Sequence, residues 1–282
     1  MKQASVIDLF LIACEARWVA DLSTVIDDLR AEGDELDALV AALPESDWTT
    51  PTPAEGWTIA HQIAHLAWTD DIAFLAATDP AQFQAELGAA LAQFEGYVDR
   101  AAAERATQPV PQLLQSWRAG RSALAAALAD VPAGTKLPWF GPPMSATSMA
   151  TARIMETWAH AQDVADSLGT SRIPTARLRH VAHIGVRTRD FAYLVRDRSV
   201  PDEQFRVELV APDGDLWTWG PEDAAEQVTG PALDFCLLVT QRRNRADLHL
   251  RATGSDADAW LDIAQAFAGP PGTGRAPAAV AG

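Results

Sequence analysis

The period of the apolar residues changes once along this chain, and that change restricts the fold more than any other feature. Up to about residue 168 apolar side chains recur at helical spacing. Beyond Arg172-Ile173-Pro174 short stretches alternate with period two. The pattern predicts an all-α bundle, with one long crossover-like connection, followed by an α/β unit. The bundle is assigned to residues 23–170 and a small α/β domain to 171–268. Residues 1–22 form an N-terminal extension, and 269–282, rich in Gly, Pro and Ala, a flexible tail.

Punctuation residues set the element boundaries. Ser23 and Thr24 are expected to open a first helix, with Asp27 completing a capping-box pattern and Pro44 marking its end. Thr58 is the expected N-cap of a helix to about residue 77, closed by Thr78-Asp79-Pro80. A third helix is expected over 81–107 and a fourth over 111–129, with Pro111 in its first turn. After a proline-rich loop over 132–143, a last bundle helix runs 146–168, and Gly169 supplies its C-terminal cap. The second half predicts a helix over 175–195, then a hairpin across the Pro212-Asp213-Gly214 turn. A helix over 232–240, an alternating segment over 248–252 and a final helix over 256–268 follow.

Composition narrows the function classes. The 282 residues are 48% apolar and 21% charged, the profile of a globular chain able to bury a core in each half. No run of about 20 uncharged apolar residues occurs, so no membrane-spanning helix is expected. Two cysteines, Cys14 and Cys236, exclude a disulfide framework and fit a reducing cytoplasm. Leu11-Ile12-Ala13-Cys14 has the form of a lipoprotein cleavage box. Asp8 interrupts the apolar stretch before it, so the segment is read as a helical extension with Val6, Phe10, Ala13 and Arg17 on one side. Residues 1–170 carry 23 acidic and 9 basic side chains, and residues 171–282 carry 15 and 13. The negative first half disfavours general nucleic-acid binding and suits a cation or a small molecule. No glycine-rich phosphate loop is present, and nothing in the pattern sets an oligomeric state.

Two segments carry the chemistry: GWTIAHQIAHLAW over 56–68 and RIMETWAHAQDVAD over 153–166. Glu156 and His160 stand four apart, one helical turn, with Arg153 and Asp163 extending the stripe. Such spacing reads first as an i,i+4 ion pair on a solvated face, and second as two ligands for one metal, with Asp163 orienting the imidazole. His61 and His65 are also four apart. Among its apolar neighbours His65 reads as a hydrogen-bonded core histidine or an inward-facing ligand, and His61, near the cap, as partly exposed. Arg242, Arg243 and Arg245 follow the predicted helix over 232–240; they complement its C-terminal dipole or bind a substrate carboxylate. Cys236 lies in an apolar run and reads as a buried inert thiol. Trp217 and Trp219 fall on one sheet face, as a core or interface patch.

Gly-Trp-Thr-Ile, then Ile-Ala-His65-Leu, then Glu156-x-x-x-His160-x-x-Asp163 resembles the metal-binding N-terminal domain of mycothiol-dependent maleylpyruvate isomerases, in the DinB-like bundle superfamily. The resemblance spans residues 23–170. It implies a metal triad of His65, Glu156 and His160, a divalent metal with zinc first in expectation, and mycothiol or another small thiol as cosubstrate. His61, Asp163 and Arg153 become candidates for supporting the ligands, and Arg242 and Arg243 for holding substrate. The implied activity is isomerisation or S-transfer on a small electrophile, with the metal activating the thiolate. A four-ligand variant including His61 stays open. The second half is similar to a sterol-carrier-like α/β domain, and residues 230–254 are faintly similar to wyosine-base-formation domains of tRNA-modifying proteins. The charge balance disfavours a tRNA role. The competing reading is a non-catalytic protein that binds a metal and, through its α/β domain, an apolar ligand.

Overall fold

A computed structural model describes residues 21–92 and 96–278. The expected extension, up to residue 20 and including Cys14, lies outside these residues, as do 279–282. The described chain divides into two units, one within 21–172 and one within 173–278.

The N-terminal unit is helical: α1 (Leu22–Val40), α2 (Ile59–Thr78), α3 (Pro80–Ala92), α4 (Tyr97–Ala106), α5 (Val110–Ala129) and α6 (Ala146–Ser167). α2 packs against α4, α5 and α6, and α1 packs against α5 and α6. Most of α2 is buried on all sides, including Ile59, Ile63, Leu66, Ile72 and Ala76, which marks it as the central helix. Two apolar clusters divide along it. Trp68, Ile72 and Ala73 join Val25, Leu29, Phe83 and Leu128; Ile59, Ile63 and Leu66 join Leu36, Trp48, Leu113 and Trp117.

Three expected boundaries are corrected. Asp21, not Ser23 or Thr24, caps α1, its carboxylate accepting from the Ser23 backbone N–H at 3.2 Å. The single helix expected over 81–107 is two helices, because Gly96 takes φ 67°. That left-handed backbone, easy for glycine, cannot lie inside a right-handed helix. The expected loop before α2 holds a 3-10 turn, Glu45–Thr49, which buries Trp48. Thr58 caps α2, Pro111 lies in the first turn of α5, and Gly169 follows α6 at φ 63°, all as the sequence predicts.

The C-terminal unit holds α7 (Leu178–Arg187), α8 (Arg189–Leu194), β1 (Phe205–Val210), β2 (Leu216–Trp219), β3 (Glu226–Pro231), α9 (Ala232–Val239), β4 (Arg251–Thr253) and α10 (Ser255–Leu261). The helix expected over 175–195 breaks at Thr188, whose hydroxyl lies 2.9 Å from the Ile184 carbonyl and 2.6 Å from the Gln265 carbonyl. The sheet order is β2-β1-β3-β4. β1 and β2 form the predicted antiparallel hairpin, with Val207 opposite Trp219. β3 was not predicted: EQVTGP has no apolar alternation and fully buries only Val228, yet it pairs parallel to β1 and antiparallel to β4. The alternating segment over 248–252 yields only the three residues of β4. The final helix stops at Leu261, although Ile263, Ala264 and Ala266 remain buried beyond it. Gly220 ends β2 at φ 78°, where a Cβ would stand 2.0 Å from the Phe205 carbonyl oxygen. Residues 269–278 carry no helix or strand.

Candidate metal centre

The site begins at the start of α2. Thr58 and His61 form a reciprocal cap, in which His61 Nδ1 lies 3.3 Å from the Thr58 backbone nitrogen and 2.8 Å from its hydroxyl. This cap occupies His61, and burial lowers its pKa. One turn on, His65 faces α6, where Glu156 and His160 are themselves one turn apart. His65 Nε2 lies 3.6 Å from Glu156 Oε2, and His160 Nε2 lies 3.4 Å from the same oxygen. One ligand atom from each of the three residues falls within 4.8 Å of the others, and the two imidazole centroids are 4.5 Å apart. His65 and His160 are 7% and 9% exposed, while the Glu156 side chain keeps 24% of its surface. Glu156 and His160 do pair one turn apart, but on a largely buried face rather than a solvated one, and both stand close to His65 on another helix.

Burial opposes ionisation of Glu156. When His160 and His65 carry their protons, hydrogen bonding and charge from the two rings outweigh it and hold the carboxyl well below its ordinary range. The arrangement gathers one carboxylate and two imidazoles, a donor set suited to a borderline divalent cation.

The remaining predicted residues divide. The second ring nitrogen of His160, reserved by spacing for Asp163, meets the Gln62 side-chain oxygen instead. Asp163 is buried on the same helix, at 1% exposure. Arg153 donates from Nε to Asp70 Oδ1 at 2.9 Å, tying α6 to α2. Burial raises the Asp70 pKa against the pull of Arg153. Arg242 and Arg243 belong to the C-terminal unit. There they donate to the carbonyls of Thr240 at 2.6 Å and Arg242 at 2.7 Å, just past the end of α9. Arg245 pairs with Asp258 and Asp262. Cys236 is fully buried, donates to the Leu178 carbonyl, and has its thiol pKa pushed well up by burial. Trp217 and Trp219 are both buried, on one face of β2.

Three participants escaped the sequence reading. The Trp57 ring lies 5.9 Å from His160, near-parallel, and 5.4 Å from His65. Its Nε1 donates to Asp99 at 3.2 Å. Gln62 carried no signal, being an amide between two histidines. Asp70 lies five residues beyond His65, outside the one-turn pairs that spacing reveals.

Comparison with known proteins adds the following. The family model described as "Mycothiol maleylpyruvate isomerase N-terminal domain" matches residues 29–165, and "Wyosine base formation" matches residues 201–253. Two Mycobacterium tuberculosis proteins, "Uncharacterized protein MT0041" of strain CDC 1551 and "Uncharacterized protein Rv0036c" of strain H37Rv, are each 59% identical over 257 residues. That is 91% of this chain and 100% of theirs. A crystal structure of the mycothiol-dependent maleylpyruvate isomerase aligns with a TM-score of 0.55 at 16% identity, covering 79% of this chain and 90% of that one. A histidine-to-alanine mutant of the same enzyme aligns with a TM-score of 0.54. At this identity the two structures establish likeness of fold.

Proposed function

The chain belongs to the mycothiol-dependent maleylpyruvate isomerase-like family, and on that footing we propose that it is a divalent-metal enzyme that uses a small thiol against an electrophile. The observation that carries the reading is the convergence of His65, Glu156 and His160, with ligating atoms within 4.8 Å across two helices. The donor set supports zinc first, because imidazole and carboxylate ligands with an exchangeable position are the usual makeup of its catalytic sites. When bound, such a cation favours the thiolate form of a sulfhydryl at neutral pH.

The chain's own residues set the conditions for that chemistry. Glu156 contributes the one negative charge of the triad, so a divalent site with two neutral imidazoles keeps a net positive charge that attracts a thiolate. His65 and His160, on different helices, fix the site's position by the packing of α2 on α6. The Trp57 ring lies against both imidazoles and limits water there, while the Glu156 side chain keeps part of its surface exposed. A thiol of the mycothiol class fits the family. Addition to a conjugated bond followed by elimination would isomerise the substrate, and addition alone would be S-transfer.

We also read the bundle as DinB-like, the sheet unit as sterol-carrier-like and the location as cytoplasmic. No helix among the described residues is long and apolar enough to cross a membrane. The acidic balance weighs against nucleic acid as a partner.

The test is an assay of zinc-loaded protein with mycothiol and a panel of small electrophiles that includes maleylpyruvate. Product without net thiol consumption would identify isomerisation, and stoichiometric consumption S-transfer. Zinc-loaded protein that turns over none of the panel, yet keeps zinc unexchangeable, would favour the non-catalytic metal-binding reading.

A further inference from the structure

Gln62 and Thr52 are outside the three-ligand set, yet the geometry points to them as the residues that fix which nitrogen of His160 faces Glu156. This inference rests on the metal-binding reading of the triad. Gln62 is 0% exposed and Thr52 9%. The Gln62 amide nitrogen donates to Thr52 Oγ1 at 2.8 Å, and that hydroxyl donates to the Trp57 carbonyl at 3.1 Å. The Gln62 side-chain oxygen meets His160 Nδ1.

The direction of this chain follows from its last member. A backbone carbonyl only accepts. The single Thr52 hydroxyl proton is therefore spent on Trp57, and the hydroxyl can only accept from Gln62. The Gln62 group facing Thr52 must be its NH2, which turns its oxygen toward His160. That oxygen accepts, so His160 carries its proton on Nδ1. Nε2 is left with its lone pair, 3.4 Å from Glu156 Oε2. Two electron-rich atoms then face each other in a largely buried site, an arrangement that a cation between them relieves.

A loop residue that touches none of the three ligands' ring or carboxylate atoms in its own hydrogen bonds thus selects, through Gln62, the tautomer that can ligate. Thr52 is held in place by its own backbone N–H, which donates to the same Trp57 carbonyl at 2.8 Å. The Trp57 ring in turn lies along His160. Ring orientation and protonation are set by one connected group, in the manner of acceptors that orient metal-bound histidines. Gln62 and Thr52 are positioning residues.

The experiment reads the tautomer in metal-free protein, where no ion can impose it. Long-range 1H–15N correlation of the His160 ring at neutral pH should show Nδ1 protonated and Nε2 bare. Thr52→Val is nearly isosteric and keeps the backbone bond to Trp57. It removes the hydroxyl that orders the Gln62 amide, so the amide can turn and the Nε2–H tautomer should grow. Zinc affinity by chelator competition should fall about 10- to 100-fold. Thr52→Ser should restore both readings, and Gln62→Leu should act like the valine variant if Thr52→Val fails to fold. A wild-type ring protonated on Nε2, or a Thr52→Val protein with unchanged tautomer and zinc affinity, would overturn the assignment. If the tautomers respond as stated but wild type takes up no zinc, the positioning by Gln62 stands and the metal reading falls.

Discussion

Arg153 and Asp70 form an ion pair that is 2% and 3% exposed, with Nε 2.9 Å from Oδ1. It joins α6 to α2 one turn from Glu156, so it holds together the two helices that carry the triad. Taking both charges out of water consumes much of what their attraction returns, as the raised Asp70 pKa indicates. Asp70→Asn should therefore destabilise the protein by about 3–5 kcal/mol, because Arg153 stays buried without its counter-charge. The double change Asp70→Leu with Arg153→Met should recover most of that loss. Urea unfolding of the three proteins tests this, and a double variant as weak as the single one would show that the pair stabilises the bundle outright.

Glu156→Gln separates the site from the fold. The helix is packed by Ile154, Trp158 and Ala161, all 5% exposed or less, and their contacts do not depend on Glu156. The variant should keep wild-type helicity by circular dichroism. Wild type should gain about 4 kcal/mol at free zinc 1,000-fold above its Kd, visible as a higher melting temperature. Glu156→Gln should show little of that gain. Equal zinc stabilisation of both proteins would remove Glu156 from the ligand set.

Trp57 should govern how fast a bound metal leaves. Its ring covers His65 and His160 at 5.4 and 5.9 Å, so Trp57→Ala would admit water and chelator to the imidazoles. Zinc release into excess chelator should speed up by on the order of tenfold, the lower end of outer-shell effects on affinity. Stopped-flow competition measures it, and an unchanged release rate would mean that the ring does not guard the site.

The C-terminal unit should respond to mild acid through His183. Burial first, then the nearby Arg187, His180 and Arg179, lower its pKa to about 4 from the ordinary 6.5. The Trp219 indole N–H donates to its Nδ1 at 3.2 Å, a bond to the neutral ring. Between these two values the unfolded chain binds the proton and the folded one does not, so stability falls as pH drops from about 6.5 to about 4. The gap corresponds to ~3 kcal/mol at most. His183→Gln should flatten that part of the stability–pH curve, as followed by Trp fluorescence. A curve of unchanged slope would assign the acid sensitivity to other groups.

What the sequence made legible was whatever is periodic or local. The helix start at Thr58, the stop at Gly169 and the Phe205–Trp219 hairpin all follow from side chains within a few positions of one another. The pairing of Glu156 with His160 is legible for the same reason, while the joining of His65 to them came from family resemblance. β3 was hidden because its hydrogen bonds go to strands distant in sequence and its side chains do not alternate. Gln62 was hidden because an amide's role depends on what stands opposite it, and its partners Thr52 and His160 lie 10 and 98 positions away. The split at Gly96 was hidden because glycine within a helical pattern breaks it only when tertiary packing selects the left-handed backbone.

The central claim, that His65, Glu156 and His160 hold one divalent metal, is tested most directly by zinc stoichiometry. Protein made without a histidine tag would be loaded with zinc, dialysed and subjected to elemental analysis. The comparison is between wild type, His65→Ala and His61→Ala, one helical turn apart on α2. The account predicts about one zinc per chain in wild type and in His61→Ala, and close to none in His65→Ala. Zinc-free wild type, or a His65→Ala protein that keeps its zinc while His61→Ala loses it, would contradict the account.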